Sequence, residues 1–464
     1  MDKKNNILHI RRYLGPKGLT ISVGRKDYEI KYPLKIWQQF PSVYHQSFAD
    51  TITYALTVHL SFQNFREKKL TYHFPPPAIE PLIFKGMLYS LPEDASAVNK
   101  FTTSQYLKLF FNSQHRIKFA YRPRYERFKN VNRNNKKKAL IPFTFGKDSL
   151  LSFALCRELG IDPVLIFFRE PRCPYENRHK RILSDRFEKQ FEKRVQFFPV
   201  SAGWLREVSN EGPWWGWDLL LTQYNLFMVP YLFAHRAKYL FWSHEQSCNA
   251  TFVDKEGFII NPVFEQNHQW LLSMNSSFKA LGCNTIFTSL IEPLHDLSIM
   301  YILHHRYPEI ARFQNSCFGD EEPAKTRRWC GACPKCARMY IFMKALGISP
   351  KRVGFFQNML VPDKIHLYSL FGCTSPDSSY DASGIGRDEQ LLAFYLAHRR
   401  GVKSPLVTVF TKKFLAEAKK RAAKLAQVFF NIHTSQTIPY ELKKPLLKIF
   451  DFELDTLKKS NSFV

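Results

Sequence analysis

The sequence predicts an α/β fold: a parallel sheet with helices on both faces, preceded by an α+β N-terminal domain and followed by a helical C-terminal segment. From Ala139 onward, short apolar strands alternate with helical stretches, a pattern that favours a parallel sheet covered by helices. Before that point, residues 19–23 and 28–32 alternate in polarity around a Gly-Arg-Lys-Asp turn and predict strands. After Gly372, a Ser-, Asp- and Gly-rich stretch precedes helical patterns.

Residues 1–120 are predicted to form the α+β domain, with helices around residues 48–60 and 104–112. They carry no catalytic signature, so we expect this domain to shape the substrate site or to pack against the rest. Residues 121–138 are rich in Arg, Lys and Asn and poor in apolar residues, which predicts an exposed basic linker.

Residues 139–372 are predicted to form the parallel-sheet domain, and such sheets bind ligands at the carboxyl ends of their strands. Its predicted strands are residues 139–143, 164–168, 195–200 and 239–242. Its predicted helices are residues 148–159, 177–193 and 219–238. Residues 373–464 are the predicted helical segment, with a helix near residues 388–398 and a basic tail behind it.

The length and the charge of the chain limit the number of domains and the kinds of binding partner to expect. A chain of 464 residues is too long for one ordinary core and predicts two or three domains. Lys and Arg number 67 against 40 Asp and Glu, a net charge of +27, which attracts polyanions such as nucleic acid, nucleotides or anionic lipid. Because the charge is spread along the chain, it does not by itself indicate a nucleic-acid binder.

The N-terminus and the most apolar stretch both argue against membrane insertion. No apolar run follows the first residues, so we expect no signal peptide. Residues 219–234 are interrupted by Gln223, Asn225 and Pro230, and they fall short of the roughly 20 residues that span a bilayer. We therefore expect no membrane span and a cytoplasmic protein.

Residues 144–149 read Thr-Phe-Gly-Lys-Asp-Ser and lie between the first strand and the first helix of the predicted sheet. In that position, backbone N–H groups at a helix N-terminus can face an anion. Gly146 allows close approach of the main chain, and Lys147 adds a cation for phosphate oxygens. Asp148 can hold Mg²⁺, and Ser149 can donate its hydroxyl and cap the helix. The segment therefore predicts an ATP-binding loop.

The nine cysteines fall into two groups. Five stand singly, as expected of reduced thiols: Cys156, Cys173, Cys248, Cys283 and Cys373. The other four supply a set of thiolates with two-residue gaps that suit one tetrahedral Zn²⁺: Cys317, Cys330, Cys333 and Cys336. We predict a closed structural zinc site, and the same ligands also suit an Fe–S cluster.

The loop resembles that of the PP-loop ATP pyrophosphatases, which reads Ser-Gly-Gly-x-Asp-Ser. Gly146, Asp148 and Ser149 match, while Thr144 stands for the first Ser and Phe145 for the first Gly. If that position needs a positive φ, Phe145 is strained there. Together with the cysteines, the loop resembles the branch that contains 7-cyano-7-deazaguanine synthase. This resemblance implies cleavage of ATP to AMP and pyrophosphate with Mg²⁺.

Flanking residues over roughly 139–400 resemble the ATP-dependent UDP-N-acetylmuramoyl-L-alanyl-L-glutamate epimerase family. They are Asn-His-Gln at 267–269, Ser-Leu-Ile-Glu-Pro-Leu at 289–294, Ser316 before Cys317, Arg328-Trp329 before Cys330, and Gly-Ile-Gly at 384–386 followed by Asp388-Glu389. The resemblance implies conversion of the terminal L-Glu of UDP-MurNAc-L-Ala-L-Glu to D-Glu in peptidoglycan synthesis. It also implies ATP, Mg²⁺ and structural Zn²⁺ as cofactors and the UDP-linked muramyl dipeptide as substrate.

Such a reaction needs groups that carry the α-proton. Converting the carboxylate to an acyl-adenylate removes its charge and stabilises the enolate that forms when a base takes the proton. His268 is the first candidate for the base. His244 and Glu245 follow a predicted strand and therefore lie at a carboxyl end near the ligand, where they are candidates for binding substrate or a metal. Cys248 is a candidate for protonating the second face.

Two other classes of function fit the sequence. One is a PP-loop enzyme that modifies tRNA or a deazapurine, which the +27 charge and the basic linker favour. Against it, the N-terminal region shows no recognisable RNA-binding module. The other is a non-catalytic descendant that binds a nucleotide or a partner, for which the departure at Phe145 argues.

Overall fold

A computed structural model describes residues 7–61, 68–98, 101–122, 135–207, 216–217, 219–317, 319, 321–373 and 383–459. Most of the predicted basic linker lies outside these residues. Within the described part, the chain forms two five-stranded sheets, a two-stranded hairpin and flanking helices. No helix there is long and apolar enough to cross a membrane.

The N-terminal region contains a mixed sheet. Its strands are β1 (Ile7–Gly15), β2 (Gly18–Val23), β3 (Lys26–Lys31), β4 (Lys69–Tyr72) and β5 (Ile117–Phe119). They lie in the order β3-β2-β1-β4-β5, with β1, β2 and β3 antiparallel and with β1, β4 and β5 parallel. The helices of this region are α1 (Leu34–Gln39), α2 (His45–Thr57), α3 (Glu80–Val98) and α4 (Thr103–Gln114).

The second sheet is entirely parallel, as the alternation of strands and helices predicts. Its elements, with the helices between them, are β6 (Asn135–Pro142), α5 (Lys147–Glu158), β7 (Asp162–Arg169), α6 (Pro174–Phe191), β8 (Val195–Pro199), α7 (Leu220–His235), β9 (Ala237–Trp242), α8 (His268–Ala280) and β12 (Ile286–Ser289). A short hairpin of β10 (Phe252–Val253) and β11 (Ile259–Ile260) precedes α8. The strand β6 begins at Asn135, before the predicted start at Ala139, because ladder hydrogen bonds extend the strand into its polar residues.

The strand order of this sheet is β12-β9-β6-β7-β8. The chain runs outward from β6 through β7 to β8 and then returns to place β9 on the other side of β6. The loops that follow β6 and β9 therefore diverge to opposite faces and leave a crevice at the carboxyl ends of these two strands. Open parallel sheets bind their ligands in such a crevice.

The remaining helices follow the sheet. They are α9 (Asp296–Arg306), α10 (Pro308–Ala311), α11 (Pro334–Ala345), α12 (Ile385–Arg399), α13 (Pro405–Lys413), α14 (Leu415–Phe429) and α15 (Tyr440–Lys459). The predicted helix near residues 388–398 is α12, and the basic tail is helical as predicted.

Alternation along the parallel strands divides the interior into two cores. In β6, Ala139 and Ile141 face a core shared with α5, α6 and the C-terminal helices, whereas Leu140 faces the N-terminal sheet and α7. In β9, Phe241 likewise faces the core shared with α5 and α6, whereas Trp242 faces the N-terminal sheet and α7. The N-terminal region thus covers one face of the parallel sheet, because side chains on a strand point alternately to its two sides.

Candidate active site at the carboxyl ends of β6 and β9

The loop after β6 turns at Phe145, whose φ of 57° lies in the left-handed region. A non-glycine residue pays roughly 1–3 kcal/mol for such a conformation. The Phe145 ring is fully buried, with ring centroids 4.7 Å from Phe143 and 5.5 Å from Phe187. The Phe145 carbonyl accepts a hydrogen bond of 2.7 Å from the amide of Asn315. The strain expected from the sequence is therefore present, and aromatic burial offsets it.

Side-chain hydroxyls hold the amide groups of the loop. The amide of Lys147 donates to Ser316 Oγ at 3.1 Å, and that of Gly146 donates to Thr144 Oγ1 at 3.4 Å. The amide of Thr144 donates to Ser149 Oγ at 3.3 Å. Gly146 also precedes the first turn of α5, where N–H groups point out of the helix. These neutral acceptors are partners that a phosphate could replace.

The ammonium group of Lys147 is buried between two carboxylates. Its Nζ lies 2.5 Å from Asp148 Oδ1 and 2.5 Å from Asp296 Oδ1. Burial opposes the charge on Lys147, but the carboxylates of Asp148 and Asp296 outweigh it and raise the Lys147 pKa above its usual value. Helix α11 adds cations: Arg338 Nε lies 3.8 Å from Asp296 Oδ2, and the charge of Lys335 acts on Asp148.

Glu245 lies just beyond the end of β9 and close to this charge cluster. Its Oε2 accepts a hydrogen bond of 2.6 Å from the amide of Ser247, and Cys248 Sγ lies 3.6 Å from Oε1. Burial, and then the charge of Asp296, raise the pKa of Glu245 to about 8. Burial and Glu245 also raise the pKa of the Cys248 thiol well above its usual value. At neutral pH both groups keep their protons.

His244 points to the other side of the chain, where its ring stacks on Trp242 at 5.2 Å. The side chain is buried, and neither ring nitrogen has a hydrogen-bond partner among the described residues. Burial lowers the pKa of His244 to about 3, so the ring is neutral at neutral pH. Its backbone carbonyl is fixed by Ser289 Oγ at 2.6 Å. A buried imidazole held in this way can accept a proton or a hydrogen bond from a ligand.

Glu389 of α12 joins the cluster from the C-terminal helices. Its Oε1 accepts a hydrogen bond of 2.8 Å from the amide of Leu297, and its buried Oε2 has no partner within the described ranges. Burial, and then the charges of Asp296 and Glu245, raise the pKa of Glu389 well above its usual value. Four acidic groups, those of Asp148, Glu245, Asp296 and Glu389, thus surround one region.

Several members of this cluster are not predicted from the sequence. Asp296 and Arg338 belong to no recognised motif, and Glu389 enters only through the family resemblance. One signal was available for Asp296, because it starts α9 shortly after β12 and so lies at the carboxyl end of a parallel strand. Nothing in the local pattern around Lys335, Arg338 and Glu389 shows that their helices return to the loop.

Other residues of the family resemblance have structural contacts. His268 begins α8, where its amide donates to Asn249 Oδ1 at 2.9 Å, but its ring forms no hydrogen bond within the part of the chain described. Asn267 caps the same helix through the amide of Trp270 at 2.8 Å. Glu292 accepts hydrogen bonds from the chain at Gln436 (2.7 Å) and Thr437, and so anchors the C-terminal segment.

The four clustered cysteines come together as a candidate metal centre. The sulfurs of Cys317, Cys330, Cys333 and Cys336 all lie within 4.8 Å of one another, and all four residues are buried. The amide of Cys330 donates to the sulfur of Cys317 at 3.3 Å, and that of Cys336 donates to Cys333 at 3.4 Å. Amide donors stabilise thiolates, and this arrangement could hold a metal such as zinc. Cys333 also caps α11, the helix that carries Arg338.

The chain was compared with known proteins. No family model and no solved structure matches it. Among curated proteins it is similar to the UDP-N-acetyl-alpha-D-muramoyl-L-alanyl-L-glutamate epimerase of Xanthomonas oryzae pv. oryzae (strain MAFF 311018), with 22% identity over 290 residues. The match covers 60% of this chain and 60% of that protein, so the chain spans about three fifths of the relative's length. This similarity agrees with the family that the sequence motifs resemble.

Proposed function

We propose that the chain converts the terminal L-Glu of UDP-MurNAc-L-Ala-L-Glu to D-Glu and cleaves ATP to AMP and pyrophosphate. The observation that carries the proposal is the buried acidic cluster of Glu245, Asp296 and Glu389 beside Lys147, in which Glu389 Oε2 has no partner among the described residues. The similarity to a protein named for this epimerisation supports the reaction class. The motif at residues 144–149 supports a PP-loop type of ATP chemistry.

The first proposed step activates the substrate. A carboxylate oxygen of the terminal Glu attacks the α-phosphorus of ATP, and the bond to pyrophosphate breaks with its electron pair. The loop amides, Lys147, Lys335 and Arg338 bind the phosphate oxygens and neutralise their charge. Asp148 and Asp296 offer carboxylate oxygens that suit Mg²⁺, which would supply further charge neutralisation.

The second proposed step inverts the α-carbon. One group takes the α-proton from the acyl-adenylate, and another returns a proton to the opposite face. Water then attacks the acyl carbon, AMP leaves, and the carboxylate is restored. Glu245 suits one of these roles, because burial raises its pKa to about 8 beside Lys147 and Asp296. His244 stays a candidate for the other role, as a buried neutral imidazole whose ring nitrogens have no partner among the described residues.

His268 stays a candidate for the second proton carrier, because its amide is tied to Asn249 in the segment that follows Glu245. Cys248 suits that role less well, since burial and Glu245 raise the pKa of its thiol and make it a weak proton donor. Substitution at each of these positions would show which group carries the proton in the L-to-D direction.

An isotope experiment tests the reaction. The purified protein is incubated in D₂O with ATP, Mg²⁺ and UDP-MurNAc-L-Ala-L-Glu, with UDP-MurNAc-L-Ala as the control that lacks the reacting carboxylate. We expect pyrophosphate release together with deuterium at the Glu α-carbon, and neither with the control. Pyrophosphate release only on addition of tRNA would instead assign an RNA substrate, which the basic charge favours. Absence of ATP turnover with every substrate would indicate a nucleotide-binding descendant.

A further inference from the structure

A second basic site lies away from the loop, on the outer side of α6. A hollow of about 550 Å³ is lined by five cations, Arg186, Lys189, Arg312, Arg328 and Arg352, and none of the side chains that line it is acidic. The volume falls within the range of small-molecule sites. Charges of one sign in a concave surface reinforce one another and attract counter-ions.

The hollow is separate from the candidate active site. Lys180 of α6 reaches the carbonyl of Asn315, next to the residue that holds the loop amide. Arg186 and Lys189 lie further along α6, about 9 and 13 Å beyond Lys180 at the rise of an α-helix. The loop Gln314–Cys317 therefore lies between the two sites, with the phosphate loop on one side and the hollow on the other.

Arg328 forms the inner wall of the hollow. Its Nη2 donates to the carbonyls of Arg312 (3.3 Å) and Gln314, which fixes the guanidinium group. Its buried Nε has no hydrogen-bond partner among the described residues. Glu309 pairs with Arg312 at 3.3 Å, but its side chain is exposed. Four further cations thus line the same hollow as a guanidinium group whose Nε–H donor is not used within the described residues.

We propose that this hollow binds a diphosphate group. Guanidinium forks match phosphate oxygens in pairs, and five cations in one hollow exceed what a single phosphate needs. The buried ring of Phe313, with Arg312 stacked over it at 5.5 Å, provides an apolar wall for the part of a ligand next to the phosphates. The diphosphate could belong to free pyrophosphate or to a nucleotide-linked sugar. This site does not depend on the reaction proposed above.

The test compares two charge-matched double variants by calorimetric titration with inorganic pyrophosphate. R186Q/R352Q removes two exposed cations of the hollow, whereas K419Q/K424Q removes two exposed cations of α14. We expect the dissociation constant of one pyrophosphate site to rise at least about 10-fold in the first variant and to be unchanged in the second. Tighter binding of UDP than of pyrophosphate at that site would identify a nucleotide-linked diphosphate, and tighter binding of pyrophosphate would identify the free anion.

Three results would overturn the proposal. They are equal weakening by both double variants, no weakening by either, and binding of an RNA oligonucleotide at a site that rejects pyrophosphate. Failure of the epimerase reaction is distinguishable, because it leaves the R186Q/R352Q effect on pyrophosphate binding intact. Unfolding curves of both variants serve to show that each is folded.

Discussion

Two buried charge networks lie at the carboxyl ends of neighbouring strands, and they differ in how fully their polar atoms are paired. After β7, both carboxylate oxygens of Glu170 are used, one by Tyr224 at 2.6 Å and one by Arg206 at 2.8 Å. The other nitrogens of Arg206 donate to Gln223 at 2.9 and 2.7 Å. Such a network is complete without a ligand.

The cluster after β6 and β9 is not complete in that sense. Both ring nitrogens of His244 and one oxygen of Glu389 lack partners in the described part of the chain, although all three atoms are buried. Burial, and then the charge of Asp296, raise the pKa of Glu245 to about 8. Buried polar groups are normally paired, so the unpaired atoms near the loop at residues 144–149 support the proposed ligand site.

The largest expected effect lies in the complete network. Arg206→Leu leaves Glu170 buried without its cation, and we expect a loss of about 3–5 kcal/mol in the free energy of unfolding. Denaturant unfolding measures it, and Arg172→Leu is the control, because the Arg172–Glu207 pair has an exposed arginine. ATP turnover per folded molecule should stay near that of the wild type. A loss below about 1 kcal/mol would show that the network is dispensable.

In the incomplete cluster we expect a smaller effect, which lowers the reaction rate and leaves the free energy of unfolding unchanged. Asp148→Asn removes a charge that faces Lys147, and we expect ATP turnover to fall about 100- to 1,000-fold. Pyrophosphate release measures it. Asp185→Asn on the exposed side of α6 provides a matched control that should retain turnover. Wild-type turnover in Asp148→Asn would remove the loop from the mechanism.

Substitution of Phe145 in the loop is expected to change the stability by a smaller amount. Phe145→Gly relieves the left-handed strain of roughly 1–3 kcal/mol but loses ring burial worth about 3–5 kcal/mol, for a net loss of about 2 kcal/mol. Phe145→Ala loses the ring and keeps the strain, so it should be less stable than the glycine variant by about 1 kcal/mol. Thermal unfolding of the glycine and alanine variants measures this difference in stability. Equal stability of the two would mean that the backbone is not strained.

A further expected effect is a change in the pH dependence of stability. The folded-state pKa of Glu245 is raised to about 8, so folding favours its protonated form. That contribution is fully present below the unfolded pKa, near 4.3, and is lost as the pH rises to about 8. Glu245→Gln cannot titrate, so its stability relative to the wild type should increase between these pH values. A constant difference across the range would contradict the raised pKa.

The sequence predicted those parts that depend on local pattern. The parallel strands are short apolar runs between helical stretches, and the spacing of the four cysteines is typical of a shared metal site, so both could be predicted from the sequence. The strand order could not be read, because it depends on which side of β6 the chain returns to after α7. Without that order, Asp296, Arg338 and Glu389 are far from Lys147 in sequence, and nothing local brings them to it.

Phe145 shows a further limit of local pattern. The sequence indicates that a large residue stands where a glycine is expected, but only the tertiary structure shows that Phe143 and Phe187 receive its ring. Packing of the side chain in the core behind the loop can therefore compensate for a departure from the motif. His244 illustrates the opposite case, since its sequence position was noted but its unpaired, buried state depends on the surrounding fold.

The most direct test of the incomplete cluster as a proton-transfer site is the ratio of α-deuterium to pyrophosphate in D₂O. It is measured for the wild type and for Glu245→Gln with UDP-MurNAc-L-Ala-L-Glu and ATP. We predict that Glu245→Gln still releases pyrophosphate while deuterium entry falls at least about 100-fold, because activation remains but one proton carrier is lost. A wild-type ratio in Glu245→Gln would contradict the account.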